Sequence, residues 1–478
     1  MATGSQSHPF DRYASFTDIA ALKEFSGRSL RKSKRINTLK SSIDAFKVWA
    51  AEKQWKLEPV SWCPEAFFID REDRTSALGK DLLHLLGHTY MQEAASMLPP
   101  ELLDVQPGET VLDMSAAPGS KSTQIAARMK NTGVLVTNDV QEKRLWTLKA
   151  ALHRAGVTNY VVTKKVGQWF AKHMTERFDR VLCDAPCTAQ GTARKDSDAL
   201  MYCSMENIGK MAKLQRELLE AAVHAVKVGG TVVYSTCTLT PEENEDVIRS
   251  LLEKFPGQLE CVDPRTLHPR FASLDRAIAA SLLVQEKENM GTTMPLVRLW
   301  PHEYDTEGFF CAVLRKTAHT RQKEHMDWVR YQEDLLPRIR TRDIGNTVES
   351  LYGSSFIREG ECLFERGKEL LLSTEAVADF KLTVENYSLG LPFALRLDGS
   401  RVRVHHEIMT LRGAEATKHS APINESQLQD LLDGRDTKCD AALNGDTLLI
   451  YRGIPIGFGL ARDGILKNRL PRWIVQKS

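Results

Sequence analysis

The stretch Val111-Leu-Asp-Met-Ser-Ala-Ala-Pro-Gly-Ser-Lys-Ser-Thr-Gln124 joins the end of an apolar strand to the start of a helix through a loop of small residues. The small side chains of Ser115, Ala116, Ala117 and Gly119 let a ligand approach the backbone, and the helix N-terminus offers it free N–H groups. The loop has neither the G-x-G-x-x-G nor the G-x-x-x-x-G-K-[ST] pattern, which weakens dinucleotide and nucleoside triphosphate binding as interpretations. The stretch therefore predicts a different ligand at the end of a sheet strand.

Short apolar strands alternate with helical stretches from about Thr110 to Lys316. This alternation predicts an α/β domain with a doubly wound, mainly parallel sheet. The predicted strands are 111–114, 134–137, 160–163, 180–183 and 232–234, and the predicted helices are 122–129, 143–155 and 214–226.

The strand after the small-residue loop ends in an acid, Asp139. An acid at this point of a doubly wound fold commonly binds the two hydroxyl groups of a ribose. Taken alone, Asp139 is more often a helix cap than a ligand. Together with the loop one strand earlier, it predicts a contact to an adenosine-containing cofactor.

Two cysteines follow later strands of the same predicted sheet, Cys187 in Asp184-Ala-Pro-Cys-Thr and Cys237 in Tyr234-Ser-Thr-Cys-Thr. Chemistry in such folds lies at the carboxyl ends of the strands, and a thiolate is a strong nucleophile, so the pair suggests covalent catalysis. Two buried structural cysteines or a disulfide are the alternatives. After Cys237, the pattern Thr240-Pro-Glu-Glu243 predicts a capping box in which Thr240 is the N-cap and Glu243 its partner.

Composition limits the class of protein. The 478 residues hold 64 Lys and Arg against 62 Asp and Glu, so the chain is not uniformly basic, although cations cluster at 28–35 and 462–477. We find no apolar run long enough to span a membrane and no signal-peptide pattern at the N-terminus. Nine scattered cysteines without a CxxC pair argue against a disulfide framework and against a zinc site. We therefore expect no bound metal, and we expect the protein to lie in a reducing cytoplasm.

The combination of motifs resembles the RNA (cytosine-5) methyltransferases of the bacterial RsmF and Sun type, over almost the whole chain. The motifs that carry the resemblance are Arg35-Ile-Asn-Thr-Leu-Lys, Met91-Gln-Glu-Ala-Ala-Ser-Met-Leu, Ala116-Ala-Pro-Gly-Ser-Lys, Asp184-Ala-Pro-Cys, Ser235-Thr-Cys-Thr with Glu-Glu-Asn-Glu, and Glu307-Gly-Phe-Phe-Cys-Ala-Val-Leu-Arg. The C-terminal Arg452-Gly-Ile-Pro-Ile-Gly-Phe-Gly-Leu is similar to the RsmF branch, whose tail is a PUA-like RNA-binding module, and so implies 16S ribosomal RNA rather than tRNA as substrate.

The resemblance implies a Rossmann-like methyltransferase domain at 77–316, between an N-terminal α+β RNA-binding region at 1–76 and a linker at 317–392 that precedes a β-rich PUA-like domain at 393–478. The implied cofactor is S-adenosylmethionine, with the ribose on Asp139 and the methionyl end near Asp184. The loop that would hold it is Ser115, Ala116, Ala117, Pro118, Gly119, Ser120 and Lys121.

The same resemblance implies the catalytic roles. Cys237 would attack C6 of the cytosine, which makes C5 nucleophilic enough to accept a methyl group. Asp184 would hold the N3/N4 edge of the base, Lys121 would contact the base, and Cys187 would assist release of the product. DNA enzymes use the Pro-Cys thiol as the nucleophile instead, so the presence of Cys237 favours RNA.

The predicted partners are RNA and no membrane, with the protein acting as a monomer. The cations predicted to contact RNA are Arg31, Lys32, Lys34, Arg35, Arg194, Lys195, Lys467, Arg469 and Arg472. Three interpretations compete with this one. The protein could be a non-catalytic RNA-binding or ribosome-assembly factor, an enzyme with the same chemistry on tRNA, or a Rossmann oxidoreductase.

Two departures from the family pattern concern the loops around the site. Val166-Gly-Gln168 stands where the family commonly has Asp-Gly-Arg, so the acid expected on the adenine amino group is missing. Thr188-Ala-Gln190 replaces the more usual Ser-Gly-Glu after Cys187, which keeps a hydroxyl but stiffens the loop. Neither change removes a group that methyl transfer needs.

Overall fold

The computed structural model describes residues 8–291, 293–321, 336–382, 388–397 and 401–475. Its N-terminal region contains α1 Ile19–Ser26, β1 Ser33–Ile36, α2 Ile43–Glu52, β2 Lys56–Val60, β3 Cys63–Asp70, α3 Leu82–Leu85 and β4 Thr89–Met91. The strands form an antiparallel sheet in the order β2-β3-β1-β4. Because β4 completes this sheet, the N-terminal region extends beyond the boundary predicted after residue 76.

The central region alternates strands and helices, as the sequence predicts. Its elements are α4 Leu98–Leu103, β5 Thr110–Asp113, α5 Ser120–Arg128, β6 Val134–Asn138, α6 Glu142–Ala155, β7 Tyr160–Thr163, α7 Gln168–His173, β8 Phe178–Asp184, α8 Met205–Ala225, β9 Val226–Thr236, α9 Glu245–Lys254, β10 Leu259–Cys261, α10 Asp275–Lys287, β11 Val297–Leu299, α11 Pro301–Tyr304 and β12 Phe309–Lys316. Each of the five strands predicted from the sequence forms.

The central sheet runs β10-β12-β9-β8-β5-β6-β7, and its middle strands are parallel. Successive residues of β5 point to opposite faces, as a strand requires. Val111 packs with α4, α5, α6 and α10, whereas Leu112 packs with α7, α8 and α9. Parallel strands buried on both faces bring their carboxyl ends to one edge of the sheet, which is where the predicted site residues lie.

The C-terminal region contains a second group of strands and helices. They are α12 Thr341–Tyr352, β13 Glu361–Arg366, β14 Glu369–Thr374, α13 Glu375–Asp379, β15 Ser388–Leu389, β16 Leu391–Arg396, β17 Val402–Val404, α14 His406–Arg412, β18 Ser420–Pro422, α15 Glu425–Leu432, β19 Thr437–Lys438, β20 Gly445–Tyr451, β21 Ile454–Arg462 and β22 Ile465–Asn468. One sheet has the order β13-β14-β16-β17 and another β18-β20-β21-β22-β19.

The boundary predicted at residue 393 falls inside the first of these sheets. Strands β14 and β16 pair with each other, and β15 adds to the edge of the central sheet by pairing with β7. The predicted linker at 317–392 therefore contributes β13, β14, β15 and the start of β16 to folded sheets, while its segments 322–335 and 383–387 lie outside the described residues.

The N-terminal and C-terminal regions share an apolar core. Phe46 and Trp49 of α2 belong to the same buried cluster as Leu428 of α15 and Leu449 of β20. Among the described residues, no helix combines the length and apolar character needed to cross a membrane.

Candidate active site

The two cysteines predicted to be catalytic lie side by side at the edge of the central sheet. Strands β8 and β9 pair in parallel with Asp184 opposite Ser235, so the turns that follow them begin at the same level. This places Cys187 Sγ 3.4 Å from Cys237 Sγ, with both thiols free. The hydrogen bond to Cys237, together with burial, raises the pKa of Cys187 well above its ordinary value.

Asp184 and Lys121 form an ion pair next to the thiols. Lys121 Nζ lies 2.7 Å from Asp184 Oδ2, and the hydroxyl of Ser235 donates to Oδ1 of the same carboxylate at 2.6 Å. Burial alone would lower the pKa of Lys121, but the charge of Asp184, the hydrogen bond to it and the charge of Asp113 together raise that pKa. The ammonium also lies 5.6 Å from the ring centre of Phe309, so a positive charge and an aromatic face line the same space.

A buried carboxylate, Glu243, joins the loops that carry the two thiols. Its Oε2 accepts from the amide of Thr188 at 3.0 Å and from Gln215 Nε2 at 2.8 Å, while the hydroxyl of Thr188 donates to Oε1. Thr238 and Thr240, on the Cys237 side, donate to the same Oε1 at 3.3 and 3.1 Å. The carboxylate thus fixes one loop against the other.

This arrangement corrects the predicted capping box. The hydroxyl of Thr240 caps no backbone N–H, Pro241–Glu243 forms a short 3-10 turn, and helix α9 begins only at Glu245. The side chain of Glu243 is drawn across to the Cys187 loop, because several donors there compete for it. Sequence reasoning missed this role, since it depends on a partner more than fifty positions away.

Close backbone contact at Gly191 locks the same two loops together. Its amide donates to the carbonyl of Cys237 at 2.9 Å, and its carbonyl accepts from the amide of Gly308 at 2.9 Å. A Cβ at this position would lie 2.2 Å from the carbonyl oxygen of Gly308 and 2.7 Å from that of Cys237. Only glycine fits there.

The predicted cofactor loop turns tightly between β5 and α5. Gly119 has a φ of +108°, and a Cβ added to it would lie 2.9 Å from the Cβ of Ala151 on α6. Asn138 ties the neighbouring strand ends together, since its amide donates to the carbonyls of Met114 and Lys165 at 3.0 and 2.8 Å. These contacts fix the path of the loop into the N-terminus of α5.

Two buried acids flank this loop with unused hydrogen-bonding capacity. Oδ1 of Asp113 has no hydrogen-bond partner, and burial raises the pKa of this residue to about 7. Asp139 accepts from the amide of Gln141 at 2.9 Å but does not cap helix α6, whose N-cap is Gln141. Its second oxygen makes no hydrogen bond, although it lies 3.2 Å from Arg144 Nη1. An acceptor is therefore available where a ribose is expected.

Val166 is 60% exposed and offers no polar contact. The nearby Gln168 donates from Nε2 to Glu217 at 3.1 Å, so its side chain is already engaged.

The cations predicted to contact RNA differ in exposure and fall into three groups. The exposed group consists of Lys32, Lys195, Lys467, Arg469 and Arg472. Arg31 is half-buried, pairs with Glu58 and packs over the ring of Phe68.

Lys34, Arg35 and Arg194 are buried, which corrects the prediction that they contact RNA. The ammonium of Lys34 lies 2.8 Å from Asp81 Oδ1. The guanidinium of Arg35 donates to Gln92 and Thr123, each at 2.9 Å. Arg194 donates to Asp305 at 2.8 Å, and its side chain is 1% exposed. Lys34 and Arg194 are held by internal carboxylates and Arg35 by neutral hydrogen-bond acceptors. Buried charges are not available to phosphates, and the sequence pattern alone does not reveal such internal partners.

Two further acids close to the site were not predicted as functional, although both lie in quoted motifs. The amide of Glu307 donates to Glu93 Oε1 at 3.2 Å, and Glu307 Oε1 is buried without a hydrogen-bond partner. Burial and the charge of Glu307 raise the pKa of Glu93 to about 8. Lys195 and Lys121 are among the cations whose charge acts on Glu307. Glu307 therefore lies within the electrostatic reach of Lys121, the lysine predicted to contact the base.

Within the described ranges, Cys63, Glu65 and Glu101 are the residues whose ligand types and spacing suit a metal ion. Both carboxylates instead pair with Arg128, whose Nη2 lies 2.5 Å from Glu65 Oε2 and 2.7 Å from Glu101 Oε2. An arginine thus supplies the positive charge at this position.

Known families and relatives match most of the chain. Residues 100–315 match the model of the 16S rRNA methyltransferase RsmB/F family, residues 14–94 match the N-terminal domain of 16S rRNA methyltransferase RsmF, and residues 418–476 match the methyltransferase RsmF PUA domain. The chain belongs to the RsmB/F family of rRNA methyltransferases.

Individual relatives extend over nearly the full length. The ribosomal RNA small subunit methyltransferase F of Aliivibrio fischeri is 36% identical over 465 residues, which are 96% of this chain and 93% of the relative. The protein of that name from Psychromonas ingrahamii is 34% identical and covers 94% of this chain and 92% of its own. Among solved structures, a methyltransferase homologue from Pyrococcus horikoshii has 34% identity and a TM-score of 0.55, over 64% of this chain and 93% of that chain.

Family membership establishes an S-adenosylmethionine-dependent rRNA methyltransferase with a PUA-type C-terminal domain. The small-residue loop fits the cofactor, because it leads into the N-terminus of α5, whose first amides lack partners within the helix, and the unpartnered oxygen of Asp139 suits a ribose hydroxyl. The cofactor supplies the methyl group. The residues that would hold it are Ser115 to Lys121 and Asp139, with Asp184 at the methionyl end.

Proposed function

We propose that the protein methylates C5 of a cytosine in 16S ribosomal RNA through a covalent bond between Cys237 and C6 of the base. The observation that carries this proposal is the 3.4 Å separation of the two thiols beside the Lys121–Asp184 pair. A methyltransferase acting on an oxygen or an exocyclic nitrogen needs no thiol, whereas the aromatic C5 carbon becomes nucleophilic only after C6 has been attacked.

Cys237 acts first. Its thiolate sulfur forms a bond to C6, and the electron pair of the C5–C6 double bond becomes available at C5 to form the new carbon–carbon bond. Asp184 and Lys121 hold the N3/N4 edge and the ring of the base, so that charge appearing on the pyrimidine during attack is balanced by groups already in position.

Release of the methylated base requires the bond between Cys237 and C6 to break. A base removes the C5 proton, its electron pair restores the C5–C6 double bond, and the Cys237–C6 bond breaks so that the thiolate leaves. Cys187 suits a role in this half of the reaction, because its pKa is raised and its sulfur lies against the sulfur that departs. A protonated thiol there can assist the elimination without competing for C6.

The target base must leave its stack before it reaches the edge of the sheet. Unstacking costs roughly a few kcal/mol and is easiest in a loop or bulge, so we propose a cytosine in such a segment of the RNA. One chain holds both thiols, the cofactor loop and the PUA domain, which supports action as a monomer. All nine cysteines are free, which suits a reducing cytoplasm.

The test separates the two thiols by what each variant leaves on the RNA. Cys237→Ala should abolish methylation while RNA still binds. Cys187→Ala should attack and methylate the base but release it slowly, leaving a protein–RNA adduct that survives denaturing electrophoresis. The double variant is the control and should form no adduct.

Each variant is incubated with S-adenosylmethionine and labelled 16S rRNA, and tRNA serves as the alternative substrate. An adduct with Cys237→Ala would reverse the assigned roles. The absence of an adduct with Cys187→Ala would contradict the role in release. A non-catalytic RNA-binding factor would show neither methylation nor an adduct with any variant.

A further inference from the structure

A cavity of about 280 Å³ lies between the N-terminal and C-terminal regions. The side chains of Lys40, Ser41, Ser42, His88 and Thr410 contribute its polar lining, while residues of α14 and of the turn between β20 and β21 close the other side. It lies away from the catalytic thiols, and none of the motifs discussed above assigns it a function.

The cation in this cavity lacks a counter-ion. Lys40 Nζ donates to the carbonyl of Leu86 and to the hydroxyl of Thr410, each at 2.9 Å, and both acceptors are neutral. Within the described parts of the chain, no carboxylate lies at ion-pair distance from it. Burial of an unpaired charge is unfavourable, and it lowers the pKa of Lys40 to about 7.

Other groups around the cavity position Lys40 or donate hydrogen bonds. His88 is 6% exposed and hydrogen-bonds the backbone of Lys40. The ten-residue helix α2 begins at the cavity, where Ser42 caps the amide of Ala45. A helix N-terminus favours an anion, and its first amides have no partners within the helix.

The charges nearest to Lys40 on the neighbouring elements do not neutralise it locally. Glu407 on α14 favours the protonated form, whereas Arg154 on α6 opposes it. His406 and His88 are both held neutral, since burial and the charge of Lys40 lower their pKa values to about 3.

We propose that this cavity binds a phosphate group, with Lys40 supplying the charge and Ser41 and the N-terminus of α2 supplying hydrogen bonds. The group comes either from the backbone of the RNA substrate or from free phosphate in solution. A tetrahedral anion supplies the missing counter-charge and accepts several hydrogen bonds at once, which an apolar ligand or a cation would not do.

The full-length protein is titrated with inorganic phosphate by calorimetry. Lys40→Met removes the charge at nearly constant volume and should weaken phosphate binding by about tenfold or more. Lys47→Met, at an exposed position of the same helix α2, is the matched control and should bind phosphate as the unchanged protein does.

Proton uptake distinguishes a direct role of Lys40 from a structural one. Sulfate does not titrate near neutral pH, so its binding at about pH 8 should draw protons onto Lys40 and make the observed heat depend on the ionisation enthalpy of the buffer. Lys40→Met should show no such dependence. Thr410→Asp places a carboxylate beside Lys40 and should both raise the melting temperature and abolish anion binding, which tests the idea even if Lys40→Met folds poorly.

Competition identifies the source of the phosphate group. If RNA occupies the cavity, phosphate added at constant ionic strength weakens RNA binding by the unchanged protein but not by Lys40→Met. If free phosphate is the ligand, phosphate binds without affecting RNA. Equal phosphate binding by the unchanged protein and Lys40→Met, or no binding by the unchanged protein at millimolar phosphate, would overturn the proposal. These measurements involve no methyl transfer, so their outcome does not depend on whether the proposed roles of Cys237 and Cys187 are correct.

Discussion

The amide and hydroxyl of Thr188 both donate to the carboxylate of Glu243, across 55 positions of sequence. Thr188 follows Cys187 directly, and Glu243 lies on the turn that follows Cys237. One buried carboxylate therefore sets the spacing of the two thiols. Removing it should affect catalysis even though it touches neither sulfur.

Replacement of Glu243 tests this role. Glu243→Ala leaves several buried donors without an acceptor, so we expect a loss of about 3 kcal/mol or more in the free energy of unfolding and loss of methylation. Glu243→Gln should be milder, because the Thr hydroxyls near Oε1 can turn to accept from the new amide. The neighbouring Glu242→Ala, which removes only the partly exposed pair with Arg12, should cost at most about 1 kcal/mol. Chemical denaturation and turnover assays compare the three; equal effects of both alanine variants would contradict the role.

Ala189 provides a test of backbone strain beside Cys187. It has a φ of +56°, a conformation in which a residue with a Cβ is disfavoured by roughly 1–2 kcal/mol, at the position where the family commonly has glycine. We expect Ala189→Gly to raise the free energy of unfolding by up to about 1 kcal/mol, after the added freedom of the unfolded chain is subtracted. Ala193→Gly, at a residue with a φ of −55°, should lower it instead. If both substitutions shift the melting temperature in the same direction, strain at Ala189 is not significant.

Asp113 should make stability depend on pH. Its pKa is raised to about 7 in the folded protein because of burial, so folding binds a proton wherever the unfolded chain is already ionised. The contribution of Asp113 to the free energy of unfolding is fully present below about pH 4. It is lost as the pH rises toward 7, by about 1.4 kcal/mol for each pH unit. Asp113→Asn removes this loss. When unfolding is measured between about pH 4 and pH 8, the free energy of unfolding of the variant should increase relative to that of the unchanged protein as the pH rises. A difference that does not change with pH would contradict the raised pKa of Asp113.

The cationic tail of the PUA domain should contribute to RNA binding. Lys467, Arg469 and Arg472 are exposed, and replacing all three with alanine should weaken RNA binding. The slope of log affinity against log salt concentration should become shallower by roughly 0.7–0.9 for each phosphate that is no longer neutralised. Arg358, Arg403 and Lys418 are exposed cations elsewhere in the C-terminal region, and their replacement is the control. Binding measured at several salt concentrations with an unchanged slope would exclude this role. Point variants are preferable to deletion of 393–478, since that cut would divide the sheet containing β14 and β16.

The substitution of Gln190 for the more usual acid has a structural reason. Its amide oxygen accepts from the hydroxyl of Tyr13, which is fully buried, and its Nε2 donates to Thr188 Oγ1 at 3.3 Å. A neutral amide can both accept from Tyr13 and donate to Thr188. An ionised carboxylate could only accept. We therefore interpret the departure as an adaptation to the N-terminal region that packs here.

Local patterns were sufficient to predict the α/β sheet, the small-residue loop and the two thiols at strand ends. Hydrophobic alternation and small or helix-stopping residues depend on neighbours only a few positions away, so the sequence reports them directly. The parallel order of the strands then brings the carboxyl ends together, which is why residues as distant as Cys187 and Cys237 could be predicted to meet.

The tertiary structure alone decided which polar residues are available. Lys34, Arg35 and Arg194 lie in cationic stretches of sequence yet are buried against internal hydrogen-bond partners. Glu243 accepts from donors on another loop and does not form the predicted cap. The extent of the C-terminal sheets likewise follows from contacts between distant segments, as does the burial of the Lys40 charge without a counter-ion. A side chain chooses among competing partners by the free energy of the whole packed arrangement, and its strongest partners are often far away in sequence.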